Sequence, residues 1–302
     1  MELRVLHYFL AVAREQSISA AAESLHLSQP TLSTQLKALE GELGKQLLIR
    51  GTKGSRKVVL TDEGMILRKR AEEILSLVKR TEDEISCADE AIVGDVYIGA
   101  GETDIVRFFA RTAKELQRDY PDIHYHISSG NAEYVLEYLD KGLIDFGLLF
   151  GTVDTQKYES LPLPARDAWG VLMRRDSPLA EKAGICPEDL WDKPLILSHQ
   201  RGDAQYLSQW MKKDPAALRV VATYNLVYNA SLLVDEGLGY ALCLDKLIHT
   251  EGSGLCFRPL DPPLEAASCI VWKKYQIFSK AAEAFLRSLH TMLERTAPGQ
   301  GA

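Results

Sequence analysis

Apolar side chains recur every three or four residues through the first 92 positions, which predicts a module made almost wholly of helix. Leu3, Leu6, Phe9, Leu10 and Ala13 form one stripe of a first helix. Ser17-Ile18-Ser19 interrupts it, and Ser19 is placed to cap a short second helix with Ala21, Ala22 and Leu25 facing inward. Ser28 opens a third helix with Pro30 in its first turn, where the missing N–H of proline removes no helix bond. Leu32, Leu36, Leu39 and Leu43 are its expected buried stripe, while Gln29, Thr31, Ser33, Thr34 and Lys37 keep the other face polar. Two short helices joined by a tight turn, the second polar on its open face, describe a helix-turn-helix. The amino end of the second helix is then suited to the major groove of DNA. Glutamine can pair with the N6 and N7 groups of adenine there, Ser and Thr bond base edges, and free N–H groups favour a phosphate.

The next segments extend that pattern. Two short β-prone runs, 47–49 and 58–60, flank Arg50-Gly51-Thr52-Lys53-Gly54-Ser55-Arg56-Lys57, a glycine-punctuated hairpin tipped with basic residues. Such a wing reaches phosphates or a minor groove, with Arg50, Lys53 and Arg56 as the expected contacts. Thr61-Asp62-Glu63-Gly64 opens a long helix with acids in its first turn, as the helix dipole prefers. Leu67, Ala71, Ile74, Val78, Thr81, Ile85, Ala88 and Ile92 are spaced alternately by four and three. That heptad seam predicts pairing with a second copy, which would set two reading helices about one DNA turn, or a multiple, apart. A helix packed on its own domain would show a wider stripe, an option that Leu75 and Leu77 keep open.

Near residue 93 the period changes. Short apolar runs at 96–99, 124–127, 145–150, 168–173, 194–197, 220–224 and 240–243 alternate with helical segments at 106–120, 132–141, 203–212 and 228–236. Alternation of this kind predicts an α/β body with a mostly parallel, buried sheet. The boundary falls near Gly94, and the small, polar tail Pro298–Ala302 is expected to fray.

Composition narrows the function. With 46% apolar and 25% charged residues, the chain is neither a disordered tail nor a disulfide miniprotein. No stretch approaches the roughly 18 uncharged apolar residues of a membrane span, which with the lack of a convincing leader predicts a cytoplasmic protein. Five cysteines without a C-x-x-C fit that compartment as small buried thiols. Residues 1–57 hold eight Lys/Arg against five acids, and their net +3 leaves −10 for the rest of a chain of net charge −7. A basic amino-terminal module on an acidic body suits a modular nucleic-acid binder. Enzyme signatures are missing: Gly99-Ala100-Gly101-Glu102-Thr103-Asp104 begins like a dinucleotide fingerprint but has Asp104 where its third glycine belongs. His124 and His126 share a strand face with no third ligand in sequence reach. The expectation is a protein that is not an enzyme, with neither cofactor nor metal.

The run from Ala20 to Ser33, followed by Leu36, Leu39-Glu40, Leu43-Gly44 and Leu60-Thr61-x-x-Gly64, resembles the amino-terminal module of LysR-type transcriptional regulators. The likeness continues more loosely in Leu143-Ile144-Asp145-Phe146-Gly147, Asp176-Ser177-Pro178-Leu179-Ala180 and Val234-x-x-Gly237-Leu238-Gly239. It implies an all-α winged helix-turn-helix over 1–61, a coiled-coil linker helix over 62–92 and an α/β effector-binding domain over 93–302. The last would hold two Rossmann-like subdomains like those of periplasmic binding proteins, one from about 93–162 and 266–296, the other from 163–265. The implied partners are double-stranded promoter DNA, a small-molecule effector and further copies in a homodimer or homotetramer. DNA contacts fall on Ser28, Gln29, Pro30, Thr31, Ser33, Thr34 and Lys37 and on the three wing cations. Ligands of open α/β sheets bind beyond the carboxyl ends of strands, which selects Thr103, Ser128, Ser129, Ser198 and Asn225 for a polar or anionic effector. Two readings stand beside this one. Oxidation of a cysteine could replace the ligand, although no cysteine pair follows Ser198. Alternatively, the body is a dimeric solute-binding or enzymatic α/β protein and the helical start a dimerisation arm, which would need apolar residues on the outer face of 29–37.

Overall fold

Phe9, fully buried, lies in the core of the first of two units into which the chain divides, Met1–Asp89 and Glu90–Ala302. The computed structural model describes every residue except 52–56, 87–91, 152, 200–206, 208 and 297–302, and for 83, 84, 86, 215 and 296 the backbone alone. Lys53 and Arg56 of the wing, Ala88 of the seam, much of the helix expected over 203–212 and the tail 298–302 thus lie outside the described residues or side chains.

In the first unit, α1 (Leu3–Glu15), α2 (Ile18–Ser24) and α3 (Gln29–Leu43) pack on one another. The buried face of α1 is Val5, Leu6, Phe9, Ala11 and Val12, rotated from the expected stripe, and Leu3 is exposed. The reason is that α1 contacts three helices, so it needs a wider apolar arc than a two-helix seam. Ser17, not Ser19, caps α2: its backbone is extended and its Oγ accepts from the Ala20 N–H at 3.3 Å, whereas Ser19 is already helical. Ser28 caps α3 as the pattern predicts, accepting from the Thr31 N–H at 3.2 Å. The α3 stripe is Leu32, Leu36 and Leu39; Leu43 is exposed because the helix stops at left-handed Gly44 (φ +64°) and Leu47 and Leu48 continue the core.

The wing is a two-stranded ladder, β1 (Leu48–Arg50) against β2 (Val58–Leu60), with Leu48 opposite Leu60. Thr61 joins it to α4 (Asp62–Ser86). Its N–H donates to the Leu47 carbonyl at 3.0 Å, and its hydroxyl donates to the Gln46 carbonyl at 2.7 Å while accepting from the Gly64 N–H at 3.0 Å. Gly64 is required by closeness, since a Cβ there would lie 2.2 Å from the Leu47 carbonyl oxygen. Along α4, Ala71 is buried and Leu67 packs on the first unit's core, but Ile74 and Val78 are only half-buried and Ile85 is 71% exposed. Ile92, read as the last seam position, packs instead in the core of the second unit.

The second unit is built on a nine-stranded sheet with β3 (Gly94–Ala100), β4 (Ile123–Ser129), β5 (Phe146–Phe150), β6 (Tyr158–Arg174), β7 (Leu195–Ser198), β8 (Val220–Tyr224), β9 (Tyr240–Leu244), β10 (Leu255–Pro259) and β11 (Glu265–Lys273). Their order is β4-β3-β5-β11-β6-β9-β7-β8, with β10 on β6. The sheet is mixed rather than mostly parallel. The pairs β3–β4, β3–β5, β7–β8 and β7–β9 are parallel, but β6 and β11 run antiparallel to each other and to every other strand they touch. On either side of this antiparallel centre lies a core. One is formed by β3–β5 with α5 (Val106–Asp119), α6 (Ala132–Asp140) and α8 (Lys280–Thr296), around Phe109, Phe146 and Phe285. The other sends Val171, Met173 and Leu242 to one face, and Leu172, Ala241 and Cys243 to the face covered by α7 (Val227–Asp235). No helix among the described residues is long and apolar enough to cross a membrane.

Gly64→Ala is expected to destabilise the first unit by about 1–3 kcal/mol, because the added methyl meets backbone rather than a side chain that can turn away. Urea unfolding followed by circular dichroism measures this; an unchanged midpoint would contradict the packing described for the wing-to-α4 turn.

Candidate functional site

Two sets of residues carry the chemistry, one in each unit. In the first, Ser28, Gln29, Pro30, Thr31, Thr34 and Lys37 are exposed and Ser33 is half-buried. The hydroxyls of Ser28 and Thr31 are 2.7 Å apart, and Thr34 Oγ1 donates to the Pro30 carbonyl at 2.9 Å. Thr34 therefore spends its O–H within the helix, while either Ser28 or Thr31 donates to the other. Gln29 and Lys37 have no hydrogen-bond or ion-pair partner among the described residues. They are the groups most able to bond a base edge and a phosphate.

Arg50 is placed differently from the free phosphate contact that the sequence suggests. Its guanidinium Nη2 is 3.0 Å from Glu40 Oε2, and its buried Nε has no partner among the described residues. Glu40 in turn accepts the Leu47 and Leu48 N–H groups on Oε1, at 2.9 and 3.1 Å. A single carboxylate on α3 thus ties down the first strand of the wing, a role visible only once α3 and β1 are placed together. Between them runs a groove of about 610 Å³, lined in part by Lys37, Lys45, Gln46 and Arg50. Three cations and an amide against one satisfied carboxylate suit it to a polyanion backbone.

In the second unit the expected residues fall at two strand-end clusters. Ser128 and Ser129 close β4 beside Gly99 and Ala100 of β3, and Thr103 follows in the loop after β3. Ser198, buried, closes β7 opposite Tyr224, with exposed Asn225 next along the chain. Among the described residues, Glu102 Oε2 accepts from the Val227 N–H at 2.6 Å, at the start of α7, linking the loop after β3 to the second core. Beside it the buried Thr103 hydroxyl bonds the buried Asp167 carboxylate of β6, and Thr103 Oγ1 also accepts from the Ile105 N–H at 3.0 Å. Burial pushes the Asp167 carboxyl above its ordinary value, against the Thr103 bond, which favours the ionised form. Burial, and then the charges of Asp245 and Glu102, push the Cys243 thiol up to about 12. Such a thiol is inert at neutral pH. Sequence reasoning missed Glu102 and Asp167. Glu102 had a signal, since it directly precedes Thr103 beyond a strand's carboxyl end. Asp167 directly precedes the apolar run at 168–173, in the half of β6 that the pattern does not reveal.

The histidines reach no metal. His126 Nε2 is 2.9 Å from Asp95 Oδ1, its ring stacks on Tyr97, and no group of three His, Cys, Asp or Glu among the described residues is placed to hold an ion.

Residues 3–65 match the bacterial regulatory helix-turn-helix protein family, lysR type, and residues 90–294 match the LysR substrate binding domain. The HTH-type transcriptional regulator BsdA of Bacillus subtilis (strain 168) is 32% identical over 302 residues, covering 95% of this chain and 99% of its own. YnfL of Escherichia coli (strain K12), an uncharacterized HTH-type transcriptional regulator, is 31% identical, covering 94% and 96%. Among solved structures, the fold is similar to that of CbnR, a LysR family transcriptional regulator (TM-score 0.74, 20% identity, 97% and 99% covered). CbnR has also been solved in complex with its target DNA (TM-score 0.74, 22% identity, 96% and 99% covered). A helix-turn-helix with its polar face uncovered, a wing, and a two-core α/β body matched over their whole length leave one assignment: the chain belongs to the LysR family of bacterial transcriptional regulators.

Proposed function

We propose that this regulator reads promoter DNA through the exposed start of α3 and grips the backbone with Lys37 and the wing, and that a small polar or anionic effector between the two α/β cores alters that grip. The observation that carries the DNA reading is the uncovered polar face at Gln29, Thr31, Thr34 and Lys37, which a dimerisation arm would have made apolar. The complex of CbnR with its target DNA supports the same use of the fold. Thr103, Ser128, Ser129, Ser198 and Asn225 supply hydroxyl and amide groups at the strand ends for the effector. The half-open stripe Ile74, Leu77, Val78, Thr81 and Ile85 on α4 favours a homodimer, or a tetramer of such dimers, that places two reading helices on one operator. A cytoplasmic location follows from the DNA it would bind.

Oxidation sensing finds no support in the thiols. Among the described cysteines Cys243, Cys256 and Cys269 are buried and Cys186 is half-buried, and burial raises both Cys243 and Cys269. Redox-sensor cysteines are exposed and of low pKa.

Gel-shift titration against the DNA upstream of the protein's own gene tests the reading: binding no tighter than to a scrambled duplex would refute it. Within that assay, Gln29→Ala is expected to lose about 1–3 kcal/mol of preference for the specific site, and Lys37→Ala to weaken all sequences alike and reduce the salt slope by about one. Asp167→Asn addresses the body. Its native carboxyl titrates above the unfolded value, so the native state holds the extra proton between the two, and stability falls as pH rises through that window. Asp167→Asn, which keeps an acceptor for Thr103, should therefore raise the melting temperature at pH 7 and make little difference near pH 3. A variant less stable than wild type at pH 7 would contradict the burial penalty.

A further inference from the structure

Arg50 ends β1, opposite Val58 in the wing ladder, with its side chain 32% exposed. A guanidinium carries five N–H donors in a planar fork that matches the oxygens of a phosphate. Here one nitrogen, Nη2, is held by Glu40 Oε2 at 3.0 Å, and the buried Nε has no partner among the described residues. The fork is restrained by a single carboxylate oxygen rather than fully satisfied. Released from that oxygen, it could turn toward an anion and bond it with two nitrogens at once.

Glu40 divides two tasks between its oxygens. Oε1 accepts from the Leu47 and Leu48 N–H groups, which fixes where β1 begins beyond α3, and Oε2 is given to Arg50. The first task needs only an acceptor, whereas the second needs a charge. A neutral amide would keep the first, because two backbone donors hold its oxygen toward them, and would turn its own N–H groups on Arg50. Glu40 is also the one acid among the described residues that line the groove between α3 and β1, against Lys37, Lys45 and Arg50. Lys45 meets Glu63 only at 3.6 Å, in an exposed pair of the kind that salt screens. The carboxylate of Glu40 is just 15% exposed, so Arg50 is the cation most firmly withheld from that groove.

We propose that Glu40 is a positioning residue for DNA binding: it holds Arg50 off the phosphate backbone and so sets how strongly the protein grips any duplex, whatever its sequence. Contacts to phosphates tighten binding to every sequence alike. Changes of affinity at one interface fall mostly on the rate of release, so an added cation would slow the protein's exchange between sites. Glu40 keeps that exchange fast while still fixing the wing beside the reading helix. The tether itself is a property of the first unit; only its effect on a duplex rests on the DNA reading given above.

Fluorescence-anisotropy titrations of the full-length protein test this, using a scrambled duplex and the DNA upstream of its own gene over a series of salt concentrations. Glu40→Gln should bind both duplexes about five- to tenfold more tightly at about 0.1 M salt, with a salt slope steeper by about one per bound protomer. The double variant Glu40→Gln/Arg50→Gln, which keeps a polar tether without charge, should return affinity and slope toward wild type. Arg50→Gln alone leaves the Glu40 carboxylate without its counterion, so it should weaken both duplexes while keeping the wild-type slope. A Glu40→Gln slope equal to wild type, or a double variant as steep as Glu40→Gln, overturns the proposal, since no added grip then comes from Arg50. An Arg50→Gln slope shallower by about one also overturns it, because Arg50 would already contact a phosphate in wild type. Urea midpoints report folding; if Glu40→Gln does not fold, the Arg50→Gln slope decides. Equal binding of both duplexes by wild type would count against sequence-specific reading alone, and the slopes on either duplex would still judge Glu40.

Discussion

A helix that keeps one polar face exposed has to be held entirely by the other. In α3 that burden falls on three leucines, 32, 36 and 39, all essentially removed from water. Each contributes about 1.5–3 kcal/mol by burial on the usual scale, which is modest for an element held from one side only. The rest of the first unit compensates by fixing the ends. Ser28 satisfies the helix start, Gly44 ends it, and Glu40 carries its rigidity into the wing by accepting two backbone N–H groups and pairing with Arg50. The exposed face of α3 is thus left polar without being left loose.

Much of this unit was legible in the chain, because its elements are local. A cap, a proline in the first turn and a stripe at three and four are all contained within one helix. What was misplaced depended on neighbours. The buried face of α1 turns because three helices surround it, Leu43 emerges because the chain bends at Gly44, and Arg50 turns inward because a carboxylate ten residues earlier is satisfied by it. None of those facts is a property of the segment in which the residue sits.

The second unit shows the same division more sharply. The parallel strands β3, β4, β5, β7, β8 and β9 announce themselves as short apolar runs, and α5, α6 and α7 fall within a residue or two of their predicted spans. The antiparallel centre does so only in part: the run at 168–173 marks the second half of β6, and its first half and β11 stay hidden. The first half of β6 contains Pro162 and Pro164, which argue against a central strand because proline cannot donate to a ladder. The fold admits them where β6 and β11 slip register, between Ala267 and Cys269. Asp167 was invisible for that reason, and Glu102 because its partner lies in the other core. The expected hydroxyls at strand ends were found by a topological rule; the carboxylates beside them required coordinates.

That register slip has a mechanical meaning. The two cores are not strung on flexible loops but share one continuous ladder, β6 with β11, whose paired stretches at 158–162 and 166–168 each belong to a different core. Between them, at 163–165, the rungs are interrupted, Pro164 has no N–H to donate, and the buried Ser268 hydroxyl has no hydrogen-bond partner among the described residues. Twisting one core against the other therefore strains a single short gap and leaves both flanking stretches intact. The two cores are thus joined through backbone pairing with one short interruption, rather than through connecting loops alone.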